Sequence, residues 1–309
     1  MASPFGRLSL IVNPRAGRGD GGSRLARLRR ALDDAGLEHE VAATTGPGDA
    51  TSIARRILGD GGRFLVAVGG DGTVHEVVNG MLDADGGPVA PGAVLGVVPA
   101  GSGCDFARTF SLASGPAAAA RCLQGDGLHR IDVARVGYVD ATGGPAVRHF
   151  ANIAEAGLGA ATAARAARLP AALGQGRYLA AFWAVLPSYR PGDVCIEVDG
   201  EVAYEGRAVN VVVANCRYFG GGMHISPRSD PADGRLDVLV FNGRKTDSFT
   251  MLARIYRGRH LPDRRITELG GHRVVVHAGA ALAVEADGEV LGTTPASFES
   301  VPGAIALKV

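Results

Sequence analysis

Along roughly the first 125 residues, short runs of consecutive apolar side chains alternate with longer segments in which apolar positions return every three or four residues. Unbroken apolar runs of this length suit strands buried on both faces, and the 3.6-residue spacing suits helices laid over them. The pattern predicts strands at residues 7–12, 39–42, 64–68 and 94–98, and helices at 23–35, 50–58, 74–81 and 116–123. Strands alternating with helices build a parallel, doubly wound sheet. The loops at the carboxyl ends of its strands gather along one edge as a binding crevice.

From about residue 129 the texture changes. Alternating segments at 130–139, 147–153, 194–198, 208–214 and 273–276 are separated by turn signals and predict a mainly antiparallel β-sandwich. Two helical patterns interrupt it, at 158–186 with a break near Pro170 and Gly174, and at 248–257. The final apolar segment, 304–309, reads as a strand that returns to the first domain. The expected architecture is an N-terminal α/β domain over residues 1–127 and a β-rich domain over 128–303.

Length agrees with two domains, because 309 residues exceed what one core usually serves. With 32 basic and 31 acidic residues the net charge is +1, so no global field calls for nucleic acid. The four cysteines are widely spaced without a CxxC pair, and they read as reduced thiols of a cytosolic protein. A strand begins within a few residues of the N-terminus, without the charged and apolar regions of a signal peptide. The longest apolar stretch, 178–186, is too short to cross a bilayer. A cytoplasmic location is expected, with any membrane contact peripheral.

The candidate chemistry begins at Val68-Gly69-Gly70-Asp71-Gly72-Thr73-Val74-His75, between a predicted strand and helix. Glycines there let backbone N–H groups and a helix N-terminus approach a phosphate, and Asp71 can hold a cation or orient a nucleophile. Alone, the motif serves equally well as a βα connection with a capping aspartate. Partner loops at 13–22, 44–50 and 99–107 are expected on the same sheet edge. Within the first, Gly17-x-Gly19-x-x-Gly22 followed by Glu38 or Glu40 fits the dinucleotide fingerprint, so an NAD-dependent oxidoreductase is a rival. Asn13-Pro14 stretches that turn, however, and GxGxxG arises easily among 46 glycines. There is no GxxxxGK[ST], and the lysines at 245 and 308 lie outside the glycine loops. Any phosphate grip therefore rests on backbone amides, hydroxyls and arginine.

In the second half, Asp230-Pro231-Ala232-Asp233-Gly234-Arg235 places oxygen donors on a tight turn, which suits a hard cation or an Asx turn with no ion. Asp287-Gly288-Glu289 reads as a hairpin tip. The arginines at 24, 27, 29 and 30 fit a solvated helix face. Arg254, Arg257, Arg259, Arg264 and Arg265, near Tyr256 and Leu261, are the better candidates for anionic lipid headgroups.

Taken in order, Asn13-Pro14-Arg15-Ala16-Gly17, Val68 to Thr73, and Val98-Pro99-Ala100-Gly101-Ser102-Gly103-Cys104-Asp105-Phe106-Ala107 resemble the catalytic domain of the diacylglycerol kinase and sphingosine kinase family of lipid kinases. Tyr218-Phe219-Gly220-Gly221-Gly222-Met223, Asp230 to Asp237 and Asp287-Gly288-Glu289 extend the resemblance over nearly the whole chain, in its bacterial diacylglycerol kinase form. It implies a two-domain enzyme that binds ATP and Mg2+ in the cleft between domains and phosphorylates a lipid hydroxyl, by default converting diacylglycerol to phosphatidic acid.

Carried over by position, Gly69, Gly70, Asp71, Gly72, Thr73, Val74 and His75 wrap the ATP phosphates, with Asp71 catalytic on the magnesium side. Asn13, Thr44, Gly101 and Ser102 are further nucleotide contacts. Asp230, Asp233 and the backbone carbonyl of Arg235 match a second, structural magnesium site, and Asp287 or Glu289 is the general base. Ser102 stands where many bacterial members have threonine, and Cys104 replaces the usual asparagine before Asp-Phe. The implied partner is a lipid met peripherally at a membrane surface, without nucleic acid, and a homodimer is compatible with the resemblance. The alternatives are a sphingoid-base or other lipid kinase, an NAD kinase through its own GGDGT, and a non-catalytic lipid- or nucleotide-binding protein on the same fold.

Overall fold

The computed structural model describes residues 3–17, 21–100, 103–170, 173 and 176–309. The chain divides into two compact units, residues 1–133 with 302–309, and residues 134–301.

The first unit is built on parallel strands β1 (Leu8–Val12), β2 (His39–Ala43), β3 (Phe64–Gly69) and β4 (Val94–Pro99), in the order β2–β1–β3–β4. Helices α1 (Gly21–Asp34), α2 (Asp49–Gly59), α3 (Asp71–Met81), α4 (Asp105–Thr109) and α5 (Pro116–Gln124) alternate with them. β1 and the apolar part of β3 are wholly buried, as continuous apolar strands between two helical layers must be. Leu8, Leu10, Phe64, Val66 and Val94 pack on one face with Leu28 and Leu32 of α1 and Ala119, Ala120 and Leu123 of α5. On α3, Gly80 lies so near Thr51 and Ala54 of α2 that an added Cβ would overlap them, which explains a glycine inside this helix. The end of the last strand, β15 (Glu289–Lys308), pairs parallel with β4, Ala306 opposite Val94 and Leu307 opposite Leu95.

The second unit contains β5 (Leu128–Val139, shared at its start with the first), β6 (Pro145–Phe150), β7 (Ile153–Gly157), β8 (Gly192–Val198), β9 (Glu201–Ala208), β10 (Asn210–Ala214), β11 (Leu236–Phe241), β12 (Ile266–Gly271), β13 (Arg273–Ala278) and β14 (Ala283–Ala286). The path β12–β11–β10–β7–β14–β15 is antiparallel throughout. β13, β8 and β9 continue from another part of β15, and β5 pairs with β6 and β15. The faces between them hold Phe150, Val211, Val213, Val238, Val274, Val284 and Phe298. The opposite face of β7, β10 and β11 carries Ile153, Val212 and Leu239 against Met251 and Ile255 of α8 (Ser248–Tyr256). α6 (Leu158–Ala167) and α7 (Gly176–Val185) complete the unit. The mixed parallel and antiparallel architecture is the one expected.

Several local expectations change. The pattern at 147–153 spans the end of β6 and the start of β7, because the chain turns at Ala151 and Asn152; 208–214 likewise joins the end of β9 to β10. Among the described residues no helix is long and apolar enough to cross a membrane.

Candidate active site

β3 runs straight into α3. Gly69 ends the strand, Gly70 is extended at the N-cap, and the helix begins at Asp71. A Cβ on Gly69 would overlap the Thr73 hydroxyl, so the turn closes only with glycine there. The side chains of Thr73, Val74 and His75 are buried, and Asn79 Nδ2 donates to the His75 carbonyl at 2.9 Å. From position 73 onward the side chains turn inward, and what remains for an anion is the backbone of the first helical turn and its dipole.

Asp71 is half-buried and joins this turn to the next loop. Its Oδ2 accepts the Asp105 N–H at 3.0 Å, and its Oδ1 accepts the Phe106 N–H at 2.9 Å and the Cys104 thiol at 3.6 Å. Burial first, and the Asp71 charge second, push the Cys104 thiol far up, so it keeps its proton and remains a donor. Cysteine thus still supplies a hydrogen at a position where the resemblance leads one to expect an amide. Gly101 and Ser102 lie outside the described residues.

The loops after β1 and β2 share the sheet edge with this turn. The Asn13 N–H donates to Val68 O at 3.1 Å, and Asn13 Oδ1 accepts the Arg15 N–H at 3.0 Å. The Thr44 N–H donates to Val12 O at 2.9 Å. Asp49 accepts the N–H groups of Thr45 and Gly46, which lowers its pKa together with the Thr45 hydroxyl. Glu76 of α3, outside the expected site set, accepts the Gly48 and Ala50 N–H groups, both at 2.9 Å, and so fixes the 44–50 loop to the helix behind the glycine turn. Asn13, Thr44, Gly69, Gly70, Asp71 and Gly72 therefore belong to one scaffold.

In the second unit, Asp230 and Asp233 are exposed and form successive Asx turns, accepting the Ala232 N–H at 3.2 Å and the Arg235 N–H at 2.9 Å. Two carboxylates and the Arg235 carbonyl are hard oxygen donors, and each carboxylate has lone pairs beyond the turn bond, so the set fits a hydrated divalent cation.

Asp287 and Gly288 form a two-residue hairpin turn between β14 and β15, with φ of 50° and 87° and Ala286 opposite Glu289. Positive φ at both positions explains the Asp-Gly pair. The aspartate is no exposed tip. It is 8% exposed, and its carboxylate accepts three backbone N–H groups, from Ala151 at 2.9 Å, Asn152 at 3.0 Å and Ile153 at 3.1 Å. Glu289 is half-buried on the Ala286 side, near Tyr138, so the hairpin separates the two acids that sequence spacing left together.

An apolar cavity of about 140 Å³ lies in the same unit, walled by Leu158, Phe182, Met223, Phe241, Met251 and Ile255. Glu155 and Asn210 also line it. Sequence reasoning missed Glu155. The signal was a lone acid in Ile153-Ala154-Glu155-Ala156, where apolar residues on both sides of an alternating strand imply that the acid is buried.

A parallel sheet with a glycine turn leading into a helix N-terminus, followed by a β-sandwich that holds an apolar cavity and a buried acidic hairpin, suits a protein that handles an anionic group and an apolar ligand. Residues 7–136 match the diacylglycerol kinase catalytic domain, and residues 152–309 match the YegS C-terminal NAD kinase beta sandwich-like domain. A diacylglycerol kinase of Bacillus subtilis is 32% identical over 94% of this chain and 92% of its own length. One from Mycobacterium tuberculosis is 28% identical over 97% and 94%. A crystal structure of a diacylglycerol kinase from Bacillus anthracis superposes with a TM-score of 0.74 at 25% identity, covering 99% of this chain and 97% of that one. The chain belongs to the diacylglycerol kinase family and is a lipid kinase. Membership implies use of ATP and usually of a divalent metal.

Proposed function

We propose that this kinase transfers the γ-phosphoryl group of ATP to the hydroxyl of diacylglycerol, giving phosphatidic acid and ADP, with Mg2+ as the metal. The observation that carries the lipid side is the apolar cavity in the unit that also bears the Asp287 hairpin. On the donor side, the first turn of α3 receives the phosphates, with Asn13 and Thr44 on neighbouring loops and Gly101 and Ser102 assigned by the family pattern alone. Asp71 is the residue to hold Mg2+, which would neutralise charge on the transferring group. Asp230, Asp233 and the Arg235 carbonyl would hold a second ion that stiffens their turn.

The lipid oxygen attacks the γ-phosphorus, the bond to ADP breaks, and the hydroxyl proton passes to a carboxylate. We assign that role to Asp287. It is held in place by three N–H donors, and its turn is tied to Glu285 on the cavity side of the sheet, whereas Glu289 stands beside Ala286 on the other face. Leu179 and Tyr256 line the cavity and are exposed, and exposed Trp183 and Phe249 stack with ring centroids 4.7 Å apart. These aromatic and aliphatic groups, with Arg254 and Arg257 nearby in sequence, suit peripheral contact with an anionic membrane, from which the lipid would enter.

The test is transfer from γ-labelled ATP with Mg2+ to diacylglycerol, a sphingoid base and NAD, the lipids in mixed micelles. Labelled phosphatidic acid as the dominant product is expected. Label in another acceptor reassigns the substrate, and no label in any acceptor refutes the reading.

A further inference from the structure

A polar chain runs from Gly159, Asn210 and Glu155 in the cavity wall to Glu285 and the Asp287-Gly288 turn, and phosphoryl transfer as derived above gives Glu155 no role. Glu155 on β7 and Glu285 on β14 stand directly opposite each other across an antiparallel pair, 4% and 0% exposed. The Gly159 N–H at the start of α6 donates to Asn210 Oδ1 at 3.0 Å, and Asn210 Nδ2 donates to Glu155 Oε1 at 2.8 Å. At the far end the Gly288 N–H donates to Glu285 Oε2 at 2.8 Å. Between these ends Glu155 Oε2 and Glu285 Oε1 are buried and have no hydrogen-bond partner among the described residues, on two side chains that the strand register sets opposite each other. Two buried carboxylates side by side repel each other, and one proton between them would remove that repulsion and give both orphaned oxygens a partner.

The surroundings favour keeping it. Burial raises both acids above the ordinary carboxylate range, and for Glu285 the charge of Glu155 adds to it, with a further contribution from Asp287. Tyr178 from α7 also faces the pair, with Tyr256 of α8 beyond it, and neither supplies positive charge. Arg244, Asp247 and Arg265 line the same cavity, but Arg265 is engaged by Asp263 at 2.9 Å and Asp247 at 3.4 Å. A Cβ at position 159 would overlap Glu155 Oε2, so the start of α6 is shaped around this carboxyl group.

We propose that Glu155 and Glu285 are positioning residues whose single shared proton ties the Asp287-Gly288 turn to the wall of the lipid cavity, and that loss of this proton releases the turn. The proposal rests on the reading that this turn serves the acceptor hydroxyl. It predicts an upper pH limit on turnover that does not extend to nucleotide binding, because every member of the chain belongs to the second unit.

The experiment measures kcat and the KM for ATP from pH 6 to 9.5 in the wild type, Glu155→Gln and Glu155→Leu. The wild-type kcat falls tenfold per pH unit on the alkaline side, with KM for ATP unaltered by either substitution. In Glu155→Gln the amide supplies a hydrogen at every pH, so the fall moves up by at least one pH unit. Glu155→Leu offers no hydrogen bond and lowers kcat at least tenfold across the range. In parallel, hydrogen exchange at the Gly288 amide loses protection through the same pH range in the wild type and keeps it in Glu155→Gln. That readout needs no substrate, so a protein that phosphorylated no lipid would still reveal the latch. A wild-type profile without an alkaline fall, or the same fall in Glu155→Gln with exchange unchanged, overturns the proposal. If Glu155→Gln does not fold, Glu285→Gln replaces it under the same criteria.

Discussion

Replacing Asp287 with asparagine tests whether this carboxylate anchors the second unit as well as serving the reaction. In the native protein its Oδ2 accepts one backbone N–H, from Ala151, and its Oδ1 accepts two, from Asn152 and Ile153. Asparagine keeps one carbonyl oxygen. If that oxygen faces Asn152 and Ile153, two charge-assisted bonds become neutral ones, at a cost of about 1 kcal/mol each. The amide nitrogen then points a donor at the Ala151 N–H, and a buried N–H without an acceptor costs about 1–3 kcal/mol. The sum is roughly 3–5 kcal/mol. Urea unfolding followed by the fluorescence of Trp183, the one tryptophan of the chain and a residue of α7 in the second unit, reads this loss directly. A midpoint corresponding to less than about 1 kcal/mol of destabilisation would refute the anchoring argument and leave Asp287 a purely chemical role.

Three further outcomes are expected. Glu155 and Glu285 have raised pKa values in the folded protein, Glu155 up to about 7, against about 4.3 when unfolded; the stability that their shared proton brings is complete below the unfolded value and lost as pH rises through the folded one. Urea midpoints should therefore fall between pH 5 and 7 with a slope of up to about 1.4 kcal/mol per pH unit for one proton, and Glu155→Gln should flatten that dependence. Gly159→Ala, which presses a methyl group into the Glu155 carboxyl group, should cost about 1–3 kcal/mol in the same assay. Asp71→Asn should lower kcat at least ~100-fold with a modest change in thermal midpoint, as measured by ATP-dependent transfer and calorimetry; undiminished turnover would remove Asp71 from the donor side.

The α/β half was legible because its signals are local. β1, β3 and β4 are unbroken apolar runs, and each glycine turn lies beside the strand that it ends. The second half was harder to read, since β14 is four residues long with a glutamate inside it and β12 carries a Thr-Glu pair and ends in two glycines. Such strands are defined by their neighbours. Glu155 and Glu285 are 130 positions apart, and only the antiparallel register of β7 and β14 brings them together. Spacing likewise put Asp287 and Glu289 on one motif without showing that a positive-φ turn would send them to different surroundings. Cys104 was visible as a departure from the family pattern, but its partner, Asp71, follows from how the loop after β4 meets the N-terminus of α3.

The closing stretch of β15 sets a timetable for biosynthesis. Leu307 and Lys308 are buried in the first unit, and the Lys308 ammonium donates to the Gly127 carbonyl at 2.8 Å. A ribosome that has released residues 1–133 must still make all of residues 134–301 before this strand can seat beside β4. At about 5–20 residues per second that interval is roughly ten to thirty seconds, during which the flank of β4 stands open. An uncovered strand edge invites pairing with other nascent chains. Yield in the cell should then depend on elongation speed through the second half, although the glycine turns proposed to receive phosphate are translated early.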